Sequence, residues 1–438
     1  MMTRRSSRLG STLLGAALIA ASALAGGWPA DAATASRAPV LVPGLAAIPQ
    51  GSAAVAIGNE AGLESVYCTA VTNCWAVGAT ERAGTFLNEV LHWTGKKWFK
   101  VKVPDPAGTA KAAANQLNSV RCTSALNCWA VGFYTKKGAD SGEALHWNGK
   151  AWSLIATPTP GGTLPGSLNV LADVACTSAA SCWITGEYGS VNGATEVVLN
   201  LALHWNGKVW SQVPAPNPGG SGNHHVNGLV SVRCAGPKDC WAVGAAAIFG
   251  GKLIFRNEAL HWNGKKWSSV TVPNPGGVAN GGVNELAGLS CISASNCWAT
   301  GVYGKVAERA LNLALHWNGK RWSTVATPDP QGTHTGVSNV LVGVSCSSAK
   351  DCWAVGSISG ADSMTTSTKN EVLHWNGAAW AKASVPQPGG TAAGDLSELN
   401  SVRCPSPANC WAVGDQQRKN GRDLSQLLHW NGVKWVSS

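Results

Sequence analysis

The chain has 438 residues, 45% hydrophobic and only 13% charged, a balance that excludes an intrinsically disordered polymer. The formal charge is +10, but the lysines are scattered, which argues against a nucleic-acid partner. After the first thirty residues no stretch approaches the roughly 18 apolar residues of a membrane helix.

The N-terminus predicts an export signal. Arg4, Arg5 and Arg8 form a basic head, residues 12–25 an apolar run, and Ala30-Asp31-Ala32 a small-x-small cleavage pattern. Residues 1–32 are therefore read as a signal peptide, and Arg4-Arg5 leaves general or twin-arginine export open. Their removal takes away three arginines and one aspartate and leaves a charge of +8. Residues 33–61 are expected to be a linker or an edge strand.

From there the sequence repeats. All 14 cysteines fall into seven Cys-x5-Cys pairs: Cys68/Cys74, Cys122/Cys128, Cys176/Cys182, Cys234/Cys240, Cys291/Cys297, Cys346/Cys352 and Cys404/Cys410. A Trp follows each second cysteine, and each copy continues to Leu-His-Trp, then Asn-Gly (Thr-Gly in the first), then another Trp. These motifs hold 21 of the 22 tryptophans. The distance from the last Trp of one copy to the next cysteine is 24 in all six junctions; only the segment from the second cysteine to Leu-His-Trp varies, from 19 to 23.

Each copy predicts four antiparallel strands. The cysteine pair bounds one hairpin, setting Arg121 opposite Trp129 and Val120 opposite Ala130. It also places Arg233 beside Trp241 and Arg403 beside Trp411, as cross-strand cation–π pairs. Asn-Gly predicts a second hairpin with a two-residue turn, pairing Trp147 with Lys150 and Leu145 with Trp152. Pro-Gly-rich segments join the copies. The fold class expected is all-β: a seven-bladed β-propeller, four antiparallel strands and one intra-blade disulfide per blade. The blades are expected at about 62–104, 105–158, 159–214, 215–273, 274–328, 329–386 and 387–438, with the indoles packed between them.

An exported chain favours disulfides over a metal for these cysteines, and no other ligand set recurs beside them. The seven Leu-His-Trp histidines (His92, His146, His204, His261, His316, His374 and His429) are expected between blades, each with a hydrogen bond. No metal or cofactor is expected.

Strand order puts both kinds of hairpin on one rim, and the variable segments with the Pro-Gly connections on the other. Ligand sites concentrate in variable loops. The working face is therefore expected on 79–90, 133–144, 187–202, 245–259, 302–314, 357–372 and 415–427. Candidate contacts are Phe133, Tyr134, Tyr188, Phe249 and Tyr303, with Lys136, Arg256, Arg309 and Arg422 as cationic groups. Lys137, Lys252, Lys305, Arg418 and Lys419 add to these. Glu187, Glu308, Asp140, Asp362 and Asp415 are isolated acids, expected to be solvated.

The Cys-Trp-Ala-Val-Gly…Leu-His-Trp-Asn-Gly-Lys-x-Trp pattern resembles that of uncharacterised secreted repeat proteins of actinobacteria and related soil bacteria. The resemblance implies secretion and a propeller, and carries no established activity. The corner at Asn148, Gly149 and Trp152 resembles in part the Asp-box of sialidase-type propellers, with Asn or Thr in place of the Asp and no leading Ser or Thr. The function expected is a secreted, non-catalytic, monomeric scaffold binding a glycan or extracellular protein through the strand-two-to-three loops. An acidic cell-wall polymer is one candidate partner. The alternative is a propeller glycoside hydrolase or lyase with an axial active site, which needs a pair of carboxylates.

Overall fold

Period-two alternation and the cysteine spacing set the first hairpin of every repeat. In the second repeat Cys122 stands opposite Cys128, Arg121 opposite Trp129 and Val120 opposite Ala130. The computed structural model describes residues 60–438 apart from 193–194, 250–252, 361–366 and 419–420. The expected signal peptide and the segment 33–59 lie outside the described residues.

All seven expected disulfides are formed, and no cysteine is free: Cys68–Cys74, Cys122–Cys128, Cys176–Cys182, Cys234–Cys240, Cys291–Cys297, Cys346–Cys352 and Cys404–Cys410. They lie deeper than hairpins on a rim imply. The second cysteine of every pair (Cys74, Cys128, Cys182, Cys240, Cys297, Cys352 and Cys410) is 0% exposed. Each belongs to an inter-unit core cluster, where the preceding unit's second-strand Trp packs beside it, as Trp75 does near Cys128 and Trp411 near Cys74. These seven residues are therefore parts of the core, and no ligand can reach them.

The described residues form strands and no helix, so none holds a helix long and apolar enough to cross a membrane. The strands fall into four-stranded antiparallel units spanning 60–100, 114–155, 167–212, 225–269, 282–324, 338–382 and 396–437. They make five sheets, because short parallel pairings fuse units three with four and five with six.

The second hairpin differs from expectation. Trp147 pairs with Trp152 and Leu145 with Leu154, around a four-residue loop. The Asn148 side chain causes this: its Oδ1 accepts the N–H of Lys150 at 2.9 Å and of Ala151 at 3.0 Å. That local bonding widens the turn, while Gly149 supplies the left-handed residue at φ 88°.

The variable segments also differ from expectation. They are mostly lengthened strand rather than loop: strands Asn127–Lys136 and Ala139–Trp147 leave only Lys137 and Gly138 as a turn, both at positive φ. These turns meet the inter-unit connections on one rim, as expected. The Gly166 N–H donates to the Gly138 carbonyl at 2.8 Å and the Gly336 N–H to that of Glu308 at 2.6 Å.

The core lies between units. The Trp of each second strand inserts against two Trp of the following unit: Trp75 sits 5.0 Å from Trp147 and 5.2 Å from Trp152. The same trio recurs at each junction, and it also joins the last unit to the first, where Trp411 lies 4.8 Å from Trp93 and 5.1 Å from Trp98. Leu63, Val66 and Ala76 of the first unit share a core cluster with Trp411 and Val413 of the last.

Each histidine shares the sheet face of the Trp of its own second strand, the face that meets the following unit, as His92 does beside Trp75 at 4.1 Å. His92 bonds the Asn73 side chain at 2.6 Å and His374 that of Asp351 at 2.6 Å. His429 makes no such bond. Strand pairing sets each His directly opposite its own Trp.

Candidate functional site

The first strand of each unit lines a central axis. These are Glu60–Ala70, Ala114–Ser124, Ser167–Ser178, His225–Gly236, Gly282–Ser293, Ser338–Ser348 and Leu396–Ser406. Each packs against the first strands of both neighbouring units, and the seventh against the first.

All seven carry a bulge at one position, where the ladder skips a residue, as between Leu63 and Ser65 or Leu399 and Ser401. A bulge re-aims the extra residue's side chain. The residues so released are Glu64, Asn118, Ala172, Val230, Ala287, Val342 and Asn400. All but Ala172 line one axial cavity of about 50 Å³, together with Ser119, Asp173, Ser231 and Arg233. That space holds about four waters, so a larger ligand would lie across the mouth and reach in with one group.

Two carboxyls of this cavity are driven opposite ways. Burial pushes the Glu64 carboxyl well above its ordinary value, and the nearby Asp415 and Glu398 push it further. One Gln116 N–H, donated to Glu64 Oε1 at 3.1 Å, offsets little of this. Burial alone would also raise Asp173, but the Arg233 and Arg121 guanidiniums hold it below its ordinary value. Asp173 accepts the Ser119 hydroxyl at 2.6 Å, the Ser231 hydroxyl at 3.0 Å, the Val232 N–H at 2.8 Å and its ion pair with Arg233. Its surroundings thus favour the protonated form of Glu64 and the ionised form of Asp173.

Beside this pair, Arg121 and Arg403 each place a guanidinium 4.6 Å from the centre of the Tyr67 ring. Burial would raise the Tyr67 hydroxyl, but Arg121, Arg403 and Arg233 together bring it below its ordinary value. The expected cation–π contacts with Trp129, Trp241 and Trp411 are thus replaced. The arginines turn to the axis, two onto Tyr67 and one onto Asp173, while the tryptophans stack on histidine.

Further acids gather round the axis. Glu187 is 2% exposed and Asp415 5%, correcting the expectation that both are solvated. Each approaches a glycine of the next unit's first strand: a Cβ on Gly228 would lie 2.8 Å from Glu187 Oε2, and one on Gly62 2.5 Å from Asp415 Oδ1. Burial raises Glu187 to about 8, with Glu196, Asp140 and Glu285 adding to it, and raises Glu285 to about 8. Glu308 is exposed, Asp140 accepts the Thr135 hydroxyl at 2.7 Å, and Asp362 lies outside the described residues. Among the described residues no cluster of three or more His, Cys, Asp or Glu is placed to hold a metal ion.

The expected aromatic contacts are not brought together. Phe249 is buried at 6% exposure, edge-on to Phe255, in a core cluster that Phe133 also covers. Tyr188 and Tyr303 pack on two other inter-unit cores, and Tyr134 is half-buried. Lys136, Lys137, Arg256, Lys305, Arg309, Arg418 and Arg422 are exposed, and Arg309 is tied to the Thr333 carbonyl at 3.1 Å. Lys252 and Lys419 lie outside the described residues. The axial carboxyls went unread because a regular strand would turn Leu63 and Val66 to opposite faces. Both are in fact buried in one cluster, and that three-residue spacing is the sign of the bulge.

No family model matches the chain, and no curated protein does. Similar solved structures include a GH74 xyloglucanase from Xanthomonas campestris, with 12% identity over 87% of this chain and a TM-score of 0.48; the chain spans 55% of that protein. A PL25 ulvan lyase is similar with 9% identity over 88% of this chain and 96% of that one, at a TM-score of 0.49. The β-propeller domain of the Trilobed protease from Pyrococcus furiosus is similar with 7% identity over 86% and 96%, at 0.47. The expectation of a non-catalytic scaffold is corrected beside these findings. Polysaccharide-cleaving enzymes stand among the similar folds. Among the described residues, the segments expected to bind run largely as extended strand, with turns as short as Lys137-Gly138, and Phe133, Tyr188, Phe249 and Tyr303 are drawn into the cores. The paired carboxyls stand at the axis instead.

Proposed function

We propose that the seven units are the blades of one closed propeller, exported from the cell, which cleaves a polysaccharide at its axis as a glycoside hydrolase. The observation that carries this reading is one cavity holding two carboxyls whose surroundings separate their proton affinities, the arrangement that assigns acid and charge-stabilising roles. Glu64, protonated, gives its proton to the glycosidic oxygen as the bond to the anomeric carbon breaks, and water then adds to that carbon, its proton returning to Glu64. Asp173, its charge favoured by two hydroxyls, two backbone N–H groups and Arg233, sets negative charge beside the cationic sugar. Its many donors suit it to stabilise charge rather than to take up a proton.

Elimination is the second reading. Tyr67, made more acidic by two flanking guanidiniums, supports it as a base. Incubation with a panel of neutral and acidic polysaccharides separates the two: new reducing ends alone mean hydrolysis, and ultraviolet-absorbing unsaturated ends mean elimination. Activity that survives unchanged in both Glu64→Gln and Asp173→Asn, each shown to be folded, overturns the axial assignment.

A further inference from the structure

We propose that the cysteine-hairpin end of the axis is an oxyanion site, formed by Arg121, Arg233 and Arg403 around Tyr67, which takes the carboxylate or sulfate group of an acidic polysaccharide. The inference rests on the reading that a polysaccharide meets the axis, and it names the substrate class.

These four residues hold the same place in their repeats, directly before the first cysteine of the hairpin. The place puts them on one ring, at the end of the innermost strands. Arg121, Arg233 and Arg403 come from units two, four and seven, yet the first and last share one face-to-guanidinium contact with Tyr67. Three like charges are thus assembled in a partly buried ring. The carboxylate bonded within it is Asp173, whose ion pair is with Arg233. Gathering cations in low dielectric is costly unless an anion joins them.

Their donors point the same way. Arg121 Nη2 and Arg403 Nε are buried and have no hydrogen-bond partner within the chain. Arg233 remains 27% exposed, so the ring opens to solvent there. Ser290 and Ser345 occupy the equivalent place in units five and six. Their oxygens accept the N–H of Cys346 and of Cys404, each at 3.1 Å, which leaves both O–H groups to donate. Guanidinium forks and hydroxyls suit a planar carboxylate or a tetrahedral sulfate ester, and a neutral sugar offers them nothing comparable.

The test is calorimetric titration of the full exported chain, at low ionic strength, with glucuronate, inorganic sulfate and glucose. Glucuronate or sulfate binds and glucose does not; which anion binds tells carboxylate from sulfate. Arg121→Gln and Arg403→Gln each weaken that binding about tenfold or more. Should either arginine variant fail to fold, the melting temperature of the unaltered protein decides, since it rises with the bound anion and not with glucose. No anion binding to the folded wild type, or arginine variants that bind as well as it does, overturns the proposal. Anion binding without cleavage of any polymer leaves this site standing and removes the hydrolase reading.

Discussion

The Asn88 amide of the first unit donates to Glu143 Oε1 of the second at 2.6 Å, across the junction between them. Asn88 Oδ1 and Glu143 Oε2 are both buried without another partner. The two free atoms are the complementary half of a cyclic pair, closed when a neutral carboxyl donates its O–H back to the amide. Asn200 with Glu258 and Asn312 with Glu371 repeat the arrangement. At the junction of units six and seven Gln426 replaces the acid, and there both bonds are explicit. Asn370 Nδ2 donates to Gln426 Oε1 at 2.6 Å, and Gln426 Nε2 returns to Asn370 Oδ1 at 3.0 Å. A permanently neutral side chain thus fills the place of the protonated acids.

Stability therefore depends on pH. Burial is the main cause that raises Glu143 and Glu258 well above the ordinary value, and raises Glu371 to about 8. Between 4.5 and about 8 the folded chain holds protons that the unfolded chain has released. The contribution is complete below the unfolded value and is lost as pH rises through the folded one. Urea melts should give a lower unfolding free energy near pH 9 than near pH 5, by a few kcal/mol. Glu371→Gln should flatten part of this slope and exceed the wild type at the alkaline end by about 1 kcal/mol or more. An unchanged slope in that variant would show that the pair is not held neutral.

Ring closure should be measurable at one side chain. Trp411 packs on Trp93 and Trp98 of the first unit as Trp298 packs on Trp375 and Trp380 within the chain. Trp411→Ala should cost about 3–5 kcal/mol, similar to Trp298→Ala, because each leaves a cavity the size of an indole in a packed junction. Thermal melts of the two variants compare them. A cost under about 1 kcal/mol for Trp411 alone would mean that the ends are not locked together.

Why some of this was legible and some not follows from particular residues. Cys122 and Cys128 fix their own register, and alternation then places Arg121 opposite Trp129, so the hairpin was readable. Which way Arg121 turned was not, because Tyr67 belongs to another repeat 54 positions away. The depth of Cys128 was hidden for the same reason, since Trp75, which packs in its cluster, belongs to the repeat before. Asn148-Gly149 signals a turn, but its length depends on two bonds made by the Asn side chain. The acids before Leu-His-Trp were readable in principle. Glu or Gln stands there in five repeats, and Leu201 and Leu313 in the other two. Where Leu201 stands, the preceding unit carries Gly142 in place of the Asn, packed on Leu171. Glu187 with Gly228 and Asp415 with Gly62 are likewise paired choices, visible only once neighbouring repeats are set against each other in space.

The disulfides should add a chain-entropy contribution to the packing that their buried sulfurs give the indole core. Cys122 and Cys128 close a short loop at the hairpin end of the second unit. Replacing both with Ala should cost about 2.4 kcal/mol on the chain-entropy model, and leave the other six bridges in place. Chemical denaturation of the double variant, with the remaining thiols checked for oxidation, measures this. A cost near zero would show that strand pairing alone holds the hairpin.

The last expectation concerns the axial pair itself. If Glu64 supplies the proton, cleavage should persist above the ordinary carboxylate range and fall as pH rises through its elevated value, because the deprotonated form has none to give. Asp173, held below the ordinary carboxylate range by its arginines, should keep its charge into moderate acid, so the acidic limb should lie unusually low. Asn400 and Asn118 leave Glu64 without a cation among the bulge residues that line the cavity, and burial, then Asp415 and Glu398, favour its neutral form. Asp415→Asn should therefore move the alkaline limb of the rate profile to lower pH by a fraction of a unit up to about one unit, without abolishing turnover. The rate–pH profiles of the two proteins, on whichever polymer is cleaved, check this. An alkaline limb unmoved by Asp415→Asn, or one still present in Glu64→Gln, would assign the proton to another group.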